Sequence, residues 1–475
     1  MANYELEKAA AARAVEKGVA RGARLLVARA RESEGSEYED LGEYKKALKS
    51  LDEAKRIYAA IGDLGNVAGV LNSIANVIYD QGDLKAAKRM HEEALAVFRE
   101  IGNKKLMGHA LGNIGIVLSD QGDLAGARIR YEKALATYRE IGDKSGISDS
   151  TYNLASLFNE RGDISKAKSM YEEALAWFRE IGDKSGVADA LSSVAEILDA
   201  QGDLPNAKKA YEEALASNRE IGRKVGVARA LKNIADVLYA QGDLIAAKRM
   251  YEEELAIFRE IGNRSGIAET LSNIASGLYA ESDLAGSNMM AQQSLGNQIQ
   301  IGEKGGAAGT QLQLAKLSIA EGRPSEGERS VRRAVVEFRK ERSRDSEASA
   351  REVLARSLLA QGKLAEARKV IDRATTLAAA SLDLDVRLPL AITSARIGAA
   401  SGNIGVATRT LDATLADGKK FSFLEYELEA RLALGEIEIK SGKSASGRAR
   451  LEALEKDARA KGFGLIAREA AEALK

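Results

Sequence analysis

Side chains that commonly carry chemistry are scarce in this chain. It has two histidines, His91 and His109, and no cysteine. Without cysteine there are no disulfides, thiolate metal sites or thiol nucleophiles, and the composition suits a reducing compartment. Neither histidine belongs to an HxxH or HExxH pattern, the spacing that puts two metal ligands on one helix face. His91 falls on an apolar helical stripe, which predicts a packed imidazole rather than a ligand. Any Ser-His-Asp grouping would have to form around one of these two rings by chance. Carboxylates are plentiful, but Glu92-Glu93, Glu172-Glu173 and Glu212-Glu213 follow Lys or Arg by three or four residues. That is the spacing of solvent-exposed salt bridges along a helix. The glycine-rich stretch 302–309 lacks the GxxxxGK[ST] pattern of a phosphate loop. The expectation is a protein without catalytic residues, metal or cofactor.

The elements that hold these residues follow from a repeat. Gly42, Gly82, Gly122, Gly162, Gly202 and Gly242 stand 40 residues apart; Ser282 interrupts, and Gly322, Gly362, Gly402 and Gly442 keep the phase. A second series, Gly62 to Gly302, runs midway between them. Each interval accommodates one helix of about four turns, closed by a glycine in left-handed conformation. Asp83, Asp123, Asp163, Asp203, Asp243 and Asp283 follow the first series as N-caps. Pro205, Pro324 and Pro389 are expected in first turns, where proline loses no internal hydrogen bond. Leu71, Ile74, Ala75 and Ile78 form an apolar stripe on one helix, and Leu84, Ala87, His91, Ala94, Leu95 and Phe98 on the next. The small residue at Ala75 recurs through Gly115, Ala155, Ala195, Ala235, Ala275 and Ala315, which lets helices approach closely. Three prolines, 5% aromatics, and 70 basic against 70 acidic residues fit a helical array and argue against a nucleic-acid binder.

The run Leu71, Ile74-Ala75, Ile78, Gly82, Leu84, Ala87, His91 and Ala94 resembles the tetratricopeptide repeat signature, with Tyr131, Tyr171, Tyr211 and Tyr251 in the column of His91. The resemblance implies an all-α, right-handed solenoid of about ten to eleven antiparallel helix pairs. The 40-residue form is similar to arrays in adaptors and in bacterial regulators. Resemblance also implies that first helices line a concave groove where a protein or peptide binds. Its candidate positions are Asn72, Asn76, Tyr79, His109, Asp120, Asp149, Tyr152, Asn159, Glu160, Asp189, Glu196, Asp199, Arg229, Lys232, Asp236 and Tyr239. These columns vary between units while the apolar ones hardly change. Asp120, Asp149, Glu160, Asp189, Glu196 and Asp199 would favour a basic or amphipathic partner segment, with Arg229 and Lys232 as an opposite pole. The Lys-with-Asn clamp of chaperone-tail binders is missing from every corresponding pair.

Residues 1–40 are expected to cap the array, 41–303 to form its regular part, 304–460 to continue as divergent pairs and 461–475 to close it. Glu254 and Ser294 interrupt the second alanine column and Ala291 replaces its tyrosine, which predicts altered packing near 280–300; the Gly and Ser of 281–306 lower helix propensity and leave a hinge there open. No run of 18 apolar residues occurs, and Met1–Glu5 has no apolar signal core, so the default location is the cytosol. Alternatives to a binding scaffold are a sensor array from a larger winged-helix or kinase-type regulator, a pheromone receptor, or a self-assembling solenoid.

Overall fold

A computed structural model of the chain describes residues 12–16, 24–381 and 383–475. Part of the expected 1–40 cap therefore lies outside the described residues; within it stands the helix Arg24–Asp40. Every regular element among the described residues is an α-helix. Helices start every 20 residues, as in Tyr44–Ala60, Leu64–Asp80, Leu84–Glu100 and Lys104–Asp120, and this frame continues to Ser444–Ala460 and Gly464–Ala473.

The frame is set at the turns. Glycines of both series take left-handed backbone, for example Gly142 at φ 68°, and Ser282, Arg342 and Ser422 hold the same conformation at 71°, 58° and 60°. Asp or Asn then caps the next helix: Asp83 accepts from the amide of Ala86 at 3.0 Å and Asn103 from that of Leu106 at 3.2 Å. Side-chain capping thus follows both glycine series, not the first alone. Pro205 and Pro324 lie in first turns. Pro389 does not; its helix keeps the frame and begins at Leu384, so the proline stands inside the helix and donates no backbone bond there.

The chain divides into two compact units, residues 1–190 and 191–475. In the first, Leu51, Ala54, Tyr58, Val70, Ile74 and Val77 share one buried cluster. The small-residue column has a steric cause. A Cβ at Gly115 would lie 2.5 Å from the ring of Tyr131. In a separate column, Gly146, Gly186, Gly226 and Gly266, a Cβ at Gly146 would lie 2.2 Å from the ring of Tyr138.

In the second unit the helices from Arg264–Ala280 through Lys304–Ala320 keep the frame and each packs on the next; the two compact units meet in sequence at Ala190/Leu191. The polar residues of this region are accommodated: Ser287 donates to the carbonyl of Ala275 and Ser294 to that of Ala268, both at 2.7 Å. Hydrogen bonding removes the penalty of burying a hydroxyl. Residues 304–460 continue as helix pairs around their own buried clusters. The last helices then return to the middle of the same unit. Leu244 and Ala280 share a buried cluster with Leu428, Leu451, Leu454, Phe463 and Ile466, and Arg468 donates to the carbonyl of Ala320 at 3.3 Å. Leu84 and Leu124 stay partly exposed, whereas Leu244, at the same repeat position, is buried.

Candidate functional site

The first unit contains ten of the candidate groove residues. Asn72 accepts at 2.8 Å from Nδ1 of His91, and Asn113 donates to Asn72 at 3.4 Å and to Asn76 at 3.2 Å. His91 is buried, and that burial lowers its pKa to about 4; the ring is neutral at physiological pH and serves packing. The hydroxyl of Tyr79 donates to Asp120, and that of Ser119 to Glu160 at 3.3 Å. Both links join residues 41 apart on successive first helices, so they tie neighbouring rungs of the inner face. His109 meets the Tyr138 ring edge-on at 5.8 Å, and its pKa is lowered by burial and then by Lys105. Tyr152 packs its ring against Tyr171 at 5.2 Å and Phe178 at 6.4 Å. Asn159 is exposed and Asp189 half-buried. Desolvation, reinforced by Asp183 and Asp143, pushes the Asp149 carboxyl up to about 6. Neither Asp120 nor Glu160 forms an ion pair among the described residues; each is held by a hydroxyl.

The second unit treats its candidates differently. Lys232 is engaged by Asp236 at 3.1 Å and Glu269 at 3.4 Å. Burial pulls its pKa down, but these two carboxylates more than offset that. Asp236 also accepts from the Tyr251 hydroxyl at 2.5 Å. The expected cationic pole is therefore largely neutralised at Lys232, while Arg229 stays exposed. Glu196 is raised by burial against the pull of Arg229 and Lys232. Asp199 rises to about 6 through burial, Asp236 and Asp385. Tyr239 donates to Glu425 at 2.9 Å, so this groove candidate already holds a residue of its own chain.

Sequence reasoning missed the residues that the later helices add to this inner face. Tyr426 donates to Asp385 at 3.0 Å and Thr393 to Glu352 at 2.5 Å. Both pairs are again 41 residues apart, so the rung-to-rung link of the first unit was available as a signal in the repeat frame. The contact of Tyr239 with Glu425 has no such signal. Among the described residues no group of three or more His, Cys, Asp or Glu is arranged to hold a metal, and no helix is long and apolar enough to cross a membrane.

Models of the tetratricopeptide repeat match residues 66–140, 147–220 and 226–299, and a second repeat model matches 312–381. The chain belongs to the tetratricopeptide repeat family. A comparison with curated proteins found no match. Among solved structures, this tetratricopeptide repeat array is similar to the apo form of the quorum sensor NprR from B. thuringiensis. The TM-score is 0.52 at 16% identity, covering 72% of this chain and 99% of that one. It is also similar to a STAND protein with a tetratricopeptide repeat sensor, PH0952 from Pyrococcus horikoshii (TM-score 0.49, 14% identity, 75% of this chain and 53% of that one). A third is BtubC from P. vanneervenii (TM-score 0.43, 19% identity, 46% and 93%). At these identities the likeness concerns the fold alone.

Proposed function

We propose that the inner face of the array is a non-enzymatic holding surface for a protein or peptide segment, and that in the first unit this segment is basic or amphipathic. One observation carries the reading. Asp120 and Glu160 are exposed and accept from hydroxyls, with no ion pair among the described residues; towards the other end of the helix Lys144–Glu160, Asp149 is pushed up to about 6 by burial, Asp183 and Asp143. Exposed carboxylates without a paired cation favour a ligand that brings positive charge. The fixed apolar columns and variable inner columns agree with a scaffold whose packing is constant while its surface adapts.

The test is binding of basic, helix-length synthetic peptides to the full chain and to Asp120→Asn/Asp149→Asn/Glu160→Gln at low and high salt. The expected result is weakening of about tenfold in the variant and loss of affinity with salt, since exposed charges are screened within about 8 Å at physiological ionic strength. Equal binding by both proteins at both salt levels would overturn the basic-segment reading.

A further inference from the structure

The outer helices of the second unit contain a reversal of charge that the groove does not explain. In the regular units, each outer helix is tied to the two helices before it by two bridges at fixed repeat positions. Arg219 reaches Glu253 at 2.5 Å and Lys224 reaches Glu260 at 2.7 Å. Forty residues on, the same positions hold Arg259 with Gln293 and Arg264 with Gln300, and only the second pair touches, at 3.0 Å. After another forty they hold Ile299 with Arg333 and Lys304 with Lys340. The carboxylate partners have become first amides and then cations.

The surface that results is also apolar. Leu284–Ile301 contains no charged residue, and it exposes 52% of Met289 and 66% of Ile299. On the next outer helix, Pro324–Lys340, Val336 is 50% exposed. Arg329 and Arg333 lie exposed beside it, with no carboxylate in ion-pair contact among the described residues. Water-facing Met, Ile and Val next to unpaired guanidinium groups are costly to leave bare and favourable to cover.

We propose that the outer face of Leu284–Ile301 and Pro324–Lys340 docks an acidic amphipathic segment of another protein. Its apolar side covers Met289, Ile299 and Val336, and its carboxylates take the place of the missing glutamates at Arg329 and Arg333. Nucleic acid fits less well. Arg332 is already held by Glu328 at 2.7 Å and Lys340 by Glu337 at 3.0 Å, which leaves few free cations for phosphates. A second copy of the chain also fits less well, because outer glutamates such as Glu253 and Glu260 are engaged within their own chain. This site is independent of the inner-face reading.

The experiment uses the full chain and an array of helix-length synthetic peptides in which acid content and apolar spacing vary separately. Wild type should retain peptides that combine carboxylates with apolar residues at helical spacing. Arg329→Glu/Arg333→Glu should bind them about tenfold or more weakly, and Met289→Ser/Ile299→Ser should lose the dependence on apolar spacing. Arg89→Glu, on the exposed side of the helix Leu84–Glu100 in the first unit, should leave this binding unchanged. Preference of the wild type for basic or uncharged peptides would overturn the proposal, as would undiminished binding by the charge-reversed variant. Tighter binding to an RNA duplex or to phosphatidylserine vesicles than to any peptide would overturn it too.

Discussion

The hydroxyl of Tyr239 donates a 2.9 Å hydrogen bond to Glu425, 186 residues further along the chain. Around that bond the last helices cover the edge of the helices near residue 240. Leu424 and Phe463 lie against the turn glycine Gly242, and Phe421 against Gly202. Phe463 is fully buried. In the first unit nothing lies within 4 Å of a Cβ built at Gly82, Gly122 or Gly162. The second unit thus engages Tyr239 with its own later helices, while Asp120 and Glu160 in the first stay exposed and accept only from hydroxyls.

This contact predicts a pH dependence. The Glu425 carboxyl is raised from 4.5 to about 7, chiefly by burial and then by Glu429, against the pull of Lys316 and Tyr239, with Asp385 adding a smaller rise. The folded value exceeds the unfolded one, so folding takes up a proton. The stability it contributes is complete below about pH 4.5 and is lost as pH rises through about 7. Urea midpoints measured at about pH 5 and about pH 8 should differ less in Glu425→Gln than in wild type. An unchanged difference would show that Glu425 is not the titrating group.

Glu254 stands in a column that is otherwise mostly alanine and is 1% exposed. One carboxyl oxygen has no hydrogen-bond partner among the described residues. Burial raises its pKa to about 8; Thr270 and Lys232 oppose the rise, and Glu269 and Asp236 add to it. Glu254→Ala should stabilise the chain by about 1 kcal/mol near neutral pH, because a buried unsatisfied polar group costs about 1–3 kcal/mol and the cavity offsets part of the gain. By the same sign argument, the gain should grow as pH rises from about 4.5 to about 8. Thermal unfolding at several pH values measures both.

Gly146 lies where an added Cβ would come within 2.2 Å of the Tyr138 ring. Alanine is favoured over glycine in a helix by about 1 kcal/mol, yet here Gly146→Ala should destabilise by about 1–3 kcal/mol, because overpacking displaces a buried ring. Contacts in a repeat array are mainly between neighbours. Hydrogen exchange should therefore show lost protection in the helices Leu124–Ile141 and Lys144–Glu160, with the last pairs of the second unit unaffected.

Arg342 occupies a turn that glycine fills in most units, with φ at 58°. Arg342→Gly should raise stability by about 0.5–1 kcal/mol: release of left-handed strain exceeds the entropy that glycine adds to the unfolded chain. Chemical denaturation measures the difference, and a glycine substituted for Ala167, which is buried within a helix, should destabilise.

The sequence by itself determined the helices, their phase and the constant packing columns. Turn glycines, Asp and Asn caps and small residues such as Gly115 act over a few residues or between adjacent helices, so their chemistry repeats with the chain. Even the inner rung links, Tyr79 to Asp120 and Asp385 to Tyr426, obey that period. Pro389 shows a limit within this local reading, since its helix kept the frame and left the first-turn rule unmet. Only the tertiary structure decided which inner residues are open and which are engaged. Lys232 and Tyr239 look like any other groove positions in the repeat. What separates them is, for Lys232, Asp236 one turn on and Glu269 on the next first helix, both within the repeat frame, and, for Tyr239, Glu425 far along the chain. A contact made when late helices return onto earlier ones depends on the accumulated path of many helix pairs, and no residue type or spacing records that path.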